Sequence, residues 1–422
     1  MFMVEPKASN TVSESAIQRT EPTGMFRSLR HRNFLLLMFG HFFSQSAAGI
    51  VTMTQGWLVY DLTNSPFLLG AIGTSITLPI LLLSPLTGVI ADRVDRCKLL
   101  IATYVISMLS MVSLATLILT GLVAVWQVFA CGLIFGTMAA FFGPTRQAFI
   151  PQLVSRGSLM NAIALHSATN QSTRILGPSI AGGLLASVGA AGCFYGSGLA
   201  FAVMVGALML ITVQSTPSGI VTTTIWQSFK EGLIYVIHNR TLSALIAMEA
   251  IPAIFGWQYQ ILMPIFAKDI LNVGPIGLGY LLTAAGIGSL AGALLVAALG
   301  DFRRKGFLML VMAMVFGVQL IVFAVSPGFY PSLLILVVVG GTSATYAALV
   351  NTLVQAIVPN EFRGRVMGFY MLAFSGMLPL GNLQAGAIAS TLGAPASLII
   401  GGTVVVIFSL SVLIFVPRLR QL

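Results

Sequence analysis

The chain has 422 residues, of which 57% are hydrophobic and only 8% charged. A soluble domain carries about a quarter charged residues, so this chain has too little polar surface to coat a water-soluble body, and its outer face is expected to meet lipid. The net charge of +10 would suggest nucleic acid in a soluble protein. In a membrane protein it records the retention of Lys and Arg on the cytoplasmic side, so no nucleic-acid partner is expected.

Residues 1–33 are polar and carry Lys7, Arg19, Arg27, Arg30 and Arg32 without an apolar run, as expected of a cytoplasmic tail rather than a signal peptide. A membrane helix needs about 20 mainly apolar residues. Twelve such stretches follow, near 34–59, 66–91, 99–121, 124–144, 158–187, 192–213, 242–267, 276–299, 306–326, 331–357, 365–391 and 395–417. The predicted fold is an all-α integral membrane protein of two pseudo-symmetric six-helix halves, 34–213 and 241–417. A cytoplasmic linker, 214–240, joins them, and 418–422 form a cytoplasmic C-terminus. The linker segment IWQSFKEGLIYVIHN has apolar positions at helical spacing and predicts an amphipathic surface helix.

The basic residues support twelve passes. With both termini cytoplasmic, all but Lys268 and Arg174 of the 21 Lys and Arg fall on that side, Arg146 and Arg156 being assigned to the fourth-to-fifth connection. Weak internal repetition agrees: PTRQAFIPQLVSRG after the fourth span is echoed by NTLVQAIVPNEFRG after the tenth, as in transporters built from two parallel repeats.

Five charges, Asp92, Arg93, Asp95, Arg96 and Lys98, crowd the connection GVIADRVDRCKLL between the second and third spans. Topology requires the basic residues there but not Asp92. The connection resembles the loop motif of the major facilitator superfamily, G-x-x-x-D-R-x-G-R-[RK], with Asp95 where Gly is usual and Cys97 ahead of Lys98. FRSLRHRNFLLL, GWLVYDLTNSPFLLG, PTRQAFIPQLV, RILGPSIAG and PNEFRGRVMGFYML extend the likeness to the whole chain from about residue 26, and resemble the branch containing the enterobactin exporter and related secretion effectors. The resemblance implies that Asp92 and Arg93, supported by Arg96, latch the cytoplasmic gate, with Asp301 in the second copy. It also implies that Gly177, Pro178 and Gly182 in the fifth span form a counterpart of the exporter-associated motif G-P-x-x-G-G, where proline kinks the helix and small residues admit a neighbour. The arginine that many proton-coupled relatives carry in the fourth span is replaced by Gly132.

Ionisable groups at membrane depth are costly and therefore candidates for function. Arg174 and Glu249 are the strongly ionisable ones, joined by His41 and His166. His166, Asn170 and Arg174 recur every fourth residue on one face of the fifth span. His41, Ser44, Gln45, Thr52 and Gln55 form a polar stripe in the first. In the seventh, Glu249, Pro252, Gly256 and Gln260 share one side, Pro252 and Gly256 are placed to break the helix, and Trp257 adds an aromatic surface. Thr342, Thr345, Tyr346, Ser375 and Asn382 are the expected facing wall. These residues, with Glu249 as the proton carrier, define the expected cavity.

The function read from these features is secondary active transport by alternating access: proton-coupled export of a small amphiphilic molecule such as a siderophore, drug or metabolite, with proton-coupled import of a nutrient such as a vitamin as the alternative. The chain lacks a Gly-Lys pair, hence a phosphate-binding loop, and lacks HExxH, which argues against a primary pump or a metalloenzyme. Cys97, Cys131 and Cys193 are widely spaced, so no metal site, disulfide framework or cofactor is expected. The expected setting is the inner membrane of a prokaryote, with the protein acting as a monomer alongside its substrate, protons and lipid. Single cysteines near Asp61, Lys268 and Ser326 are predicted to react with an impermeant thiol reagent on intact cells, and those near Asp92 and Arg303 are not. Labelling at position 303 would contradict twelve passes.

Overall fold

The computed structural model describes residues 27–212, 225–300, 302 and 304–421, and all regular structure among them is helical. The helices are α1 (Arg32–Thr63), α2 (Pro66–Arg93), α3 (Arg96–Leu119), α4 (Val125–Leu153), α5 (Leu159–Met209), α6 (Ile225–His238), α7 (Arg240–Phe255) and α8 (Tyr259–Ile265). The second half continues with α9 (Gly274–Leu299), α10 (Lys305–Ala324), α11 (Phe329–Ile357), α12 (Asn360–Ser375), α13 (Leu378–Leu392) and α14 (Ala394–Phe415).

Among the described residues, eleven stretches are long and apolar enough to cross a bilayer. One of them, α5, is 51 residues long. Run straight it would measure about 77 Å, more than twice a hydrocarbon core of about 30 Å. It is two spans joined at Gly189, whose φ of 69° and ψ of −176° turn the chain back; a side chain at that φ would be strained. The described chain therefore makes twelve passes, and the starts of α1 and α7 lie at the same end of the bundle as the close of α14. This end is called the tail end below, and the opposite one the distal end.

Short-range chemistry places the helix ends. Ser65 accepts from Leu68 N at 3.3 Å ahead of Pro66, and Asn64 closes α1 with φ 48°. Asp95, where the superfamily loop has Gly, caps α3 by accepting from Cys97 N and Lys98 N at 2.9 and 3.2 Å. An N-cap carboxylate satisfies donors the helix leaves open and suits its dipole. The predicted linker helix is α6. Its Tyr235 stacks on Phe362 at 4.6 Å, and its Glu231 pairs with Arg365 at 2.6 Å, so it is docked on α12.

Lipid offers no hydrophobic push between helices, so close packing of small residues has to hold them. Within the N-terminal half, Gly49 of α1 faces Gly177 of α5, where an added Cβ would lie 3.5 Å from the opposing Cα. Between the halves the approach is closer. A Cβ on Gly182 of α5 would sit 2.8 Å from Gly279 Cα of α9, and one on Gly70 of α2 would sit 2.8 Å from Gly386 Cα of α13. Ser179 meets Thr283 at 2.6 Å, and Thr74 donates to Pro379 O at 3.0 Å. At the distal rim Lys268 donates to Asp61 at 2.7 Å and to Asn64 at 3.1 Å, while the Tyr60 hydroxyl bonds to Asp269. These junctions lie at the distal end and at mid-depth, so the two halves are closed on each other there.

Cysteines replacing Ser179 and Thr283, in a chain whose native cysteines are serine, are predicted to form a disulfide readily. Adding Gly182→Leu should cut the yield severalfold, because a branched side chain cannot occupy a backbone contact without separating α5 from α9. An unchanged yield would contradict the close approach.

Candidate functional site

Among the described residues, two buried polar clusters lie at mid-depth, one in each half. In the N-terminal half His41 of α1, Tyr104 of α3, Arg146 of α4 and His166 of α5 are each less than one-tenth exposed. Counted along α1 from Arg32, His41 lies about 14 Å from the tail end. Arg146 Nε donates to His166 Nε2 at 3.1 Å, and its Nη1 donates to the Tyr104 hydroxyl at 3.2 Å. His166 Nδ1 in turn lies 3.5 Å from Asn170 Nδ2. His41 Nε2 donates to Asn170 Oδ1 at 3.0 Å, and the two imidazoles stack with centroids 4.7 Å apart. His41 Nδ1 is buried with no hydrogen-bond partner among the described residues. No carboxylate among the described residues pairs with Arg146, whose side-chain partners are an imidazole and a phenol.

Arg146 was expected in a connection. The structure corrects this: α4 continues to Leu153, carrying Arg146 into the bundle at 6% exposure. The apolar turn AFI that follows Arg146 was the overlooked signal. Gly132 does leave the usual arginine position empty, yet α4 supplies a buried arginine lower down.

In the C-terminal half the cluster is acidic and aromatic. Glu249 of α7 is 1% exposed, about 14 Å from the start of its helix. Tyr370 of α12, whose hydroxyl donates to Ala347 O at 3.4 Å, and Tyr346 of α11 both lie within electrostatic reach of its carboxylate. Its Oε2 has no hydrogen-bond partner among the described residues. A buried oxygen with no partner costs about 1–3 kcal/mol, more when charged, so protonation or a ligand donor would relieve it. Trp257 Nε1 donates to the Tyr346 hydroxyl at 3.0 Å, and its ring meets Phe374 edge-on at 5.4 Å. The expected break falls between α7 and α8: Gly256 N and Trp257 N both return to Pro252 O, and a Cβ on Gly256 would strike Phe316 at 2.5 Å. A second break separates α12 from α13 at residues 376–377. Both breaks lie in the C-terminal half, and interrupted helices are where transporter sites are built.

The remaining expected residues divide. Arg174 is exposed and close enough to Tyr259 of α8 to act on it electrostatically, but it is not among the groups acting on Glu249. Gln45 is partly buried and Gln260 exposed, the latter donating to the Tyr259 hydroxyl at 3.3 Å. The helix-1 stripe separates: Gln55 is fully buried with both amide atoms unpartnered among the described residues, whereas Thr52 is exposed and bonds Ala48 O at 2.9 Å. Asn382 packs on Gly70 and Gly73 of α2, at the junction of the halves. Thr342 bonds Gln319 at 3.1 Å and Thr345 bonds Gly292 O at 3.3 Å, so both tie helices together inside their own half rather than forming a wall. Gly177 packs on α1, Gly182 packs on α9, and Pro178 O lies 3.0 Å from where a Cβ of Gly279 would be.

Of the expected latch, Asp92 and Arg93 form the last turn of α2, with Arg93 exposed. Arg96 is buried and donates to Ala148 O of α4 at 2.9 Å, a tie within the N-terminal half. Asp301 lies outside the described residues. The distal group Asp61, Lys268 and Tyr60–Asp269 was not foreseen. Its signal was that Lys268 is the sole base left outside by the charge count.

The fold recurs among solved transporters. The nucleoside transporter NupG superposes with a TM-score of 0.72 at 13% identity, covering 90% of this chain and 98% of that one. A bacterial homologue of the human lysosomal transporter Spinster, inward-facing and occupied, gives 0.75 at 14%, covering 94% and 99%. In sequence the chain is 25% identical over 398 residues to the multidrug efflux pump Tap of Mycolicibacterium fortuitum, covering 92% of this chain and 96% of that protein. It is 22% identical over 383 residues to macrolide efflux protein A of Streptococcus pyogenes, covering 88% and 93%. The profile of the transmembrane secretion effectors matches residues 23–421, nearly the whole length, and the chain belongs to that family of major facilitator transporters.

Proposed function

We propose that this protein exports a small amphiphilic molecule in exchange for protons, its halves 34–213 and 241–417 rocking about the junction between them while the linker helix α6 stays docked on α12. Export is supported by the relatives, which are named as multidrug and macrolide efflux proteins. Placing both termini in the cytoplasm follows the bias of Lys and Arg. The distal face is then external, and the structure is the inward-facing state, held by the glycine contacts and by Lys268 on Asp61.

The observation that carries the mechanism is Glu249: a carboxylate at mid-depth, buried by aromatic groups, with one oxygen lacking a partner among the described residues. α7 meets the N-terminal half through α8, the segment beyond its break, whereas α12 and α13 both pack on α2. Rocking therefore changes the surroundings of Glu249, and with them its affinity for a proton. A proton that binds one state better shifts the balance between states, which is what exchange requires. Asp92 and Arg93 would latch the tail end once it closes.

In proteoliposomes, Glu249→Gln is expected to leave the protein inserted and folded but to lower pH-gradient-driven transport by about 5- to 150-fold, the range of ordinary coupling free energies. The pH dependence of exchange should flatten. Wild-type rate with unchanged pH dependence would remove Glu249 from the coupling path.

A further inference from the structure

A cavity of about 580 Å³ opens at the tail end, well away from both buried clusters, where the linker helix, the start of α7 and the end of α14 converge. His238, Asn239, Arg240, Thr241, Phe415 and Arg418 are among its lining. We propose that it binds the phosphodiester headgroup of an anionic phospholipid. The proposal does not depend on the direction of transport or on Glu249.

Charge is the first ground. Arg240 and Arg418 are both exposed, and among the described residues no Asp or Glu lines the cavity. Arg240 spends Nη2 on Phe415 O at 3.2 Å, which fixes its guanidinium at the wall with other donors to spare. The Arg418 side chain has no hydrogen bond or ion pair among the described residues. Arginine presents several N–H groups in a fork that fits phosphate oxygens. The nearby acid of α6, Glu231, is engaged with Arg365 at 2.6 Å.

Helix geometry is the second. Asn239 caps α7 by accepting from Leu242 N at 3.1 Å, so the 16-residue helix begins in the cavity wall. Its first-turn N–H groups and the positive end of its dipole lie at the site and favour an anion.

The third ground separates a lipid from a free phosphate. Leu233, Ile234 and Ile237 form an exposed stripe on α6 at 37%, 47% and 64%, and Ile414 and Phe415 at the end of α14 are 57% and 66% exposed. A basic pocket at the membrane edge beside an apolar strip matches an amphiphile with a phosphate head and acyl chains. A phospholipid held there would tie the first turn of α7, the helix bearing Glu249, to α14 and to the linker.

The test is native mass spectrometry of the delipidated full chain, titrated with phosphatidylglycerol or with phosphatidylcholine of the same acyl chains. Phosphatidylglycerol is expected to bind preferentially. Arg240→Gln with Arg418→Gln should weaken it by about 30-fold, each basic residue near a lipid surface contributing about a factor of five. Arg418→Gln alone, which breaks no side-chain hydrogen bond among the described residues, should give part of that loss. A charge-matched control, Arg30→Gln with Lys98→Gln, should leave binding nearly intact. Excess inorganic phosphate should not displace the lipid. Equal binding of the two lipids, full retention in the double variant, an equal loss in the control, or displacement by inorganic phosphate would each overturn the assignment.

Discussion

The backbone contact of Gly182 with Gly279 is the constraint on which the arrangement of the halves depends. In lipid, two apolar helices gain nothing by leaving acyl chains for each other, so association rests on dispersion and on close approach. Here the approach is close enough that a single added Cβ would meet an opposing Cα at 2.8 Å. The Gly70–Gly386 contact does the same on the other side of the bundle. Such surfaces are flat and carry few directional bonds. They close firmly yet break with little electrostatic loss, as an interface that must open repeatedly requires. The exposed Lys268–Asp61 pair adds direction at the rim. Half-exposed pairs contribute at most about 1 kcal/mol, so it orients the closed state rather than locking it.

The two halves share a fold but not a chemistry. The N-terminal cluster is a donor set, with Arg146 reaching the His166 ring and the Tyr104 hydroxyl. The C-terminal cluster is a carboxylate among phenols and an indole. Neither is tied to the other by an ion pair among the described residues, and each is built within its own half. The clusters can therefore travel with their halves while the groups that face them across the junction change. Opposite character on the two sides also suits an amphiphile that presents a polar group to one half and an apolar face to the other.

Much of the architecture was legible because the bilayer imposes it. Twelve apolar stretches, a one-sided distribution of Lys and Arg, and the Pro252–Gly256 break all appear in the structure as passes, ends and an interrupted helix. Gly189 shows the limit of helix assignment by continuity, since one positive φ makes two spans of what hydrogen bonding joins as one. The site was less legible. Arg146 was misplaced because a basic residue after an apolar run looks like a loop charge, and only packing shows α4 continuing past it. Tyr104 and Tyr370 carry no sequence signal of their own, as phenols are common in cores. The polar stripe on α1 has uniform helical phase but not uniform surroundings: Gln55 is buried whereas Thr52 is exposed. Phase identifies a face, and the partners of that face change along a helix this long.

The central claim is that the halves move as bodies, so that the distal end opens as the tail end closes. It is tested most directly by paired spin-label distances in lipid nanodiscs. One pair joins exposed Leu62 to exposed Ile270 across the distal end, and the other joins exposed Val94 to exposed Glu361 across the tail end. As the buffer is taken from alkaline to acidic, the two distances are predicted to shift in opposite senses, with the short distal population exchanging for a short tail-end one. Distances that change together, or at one end alone, would contradict the account.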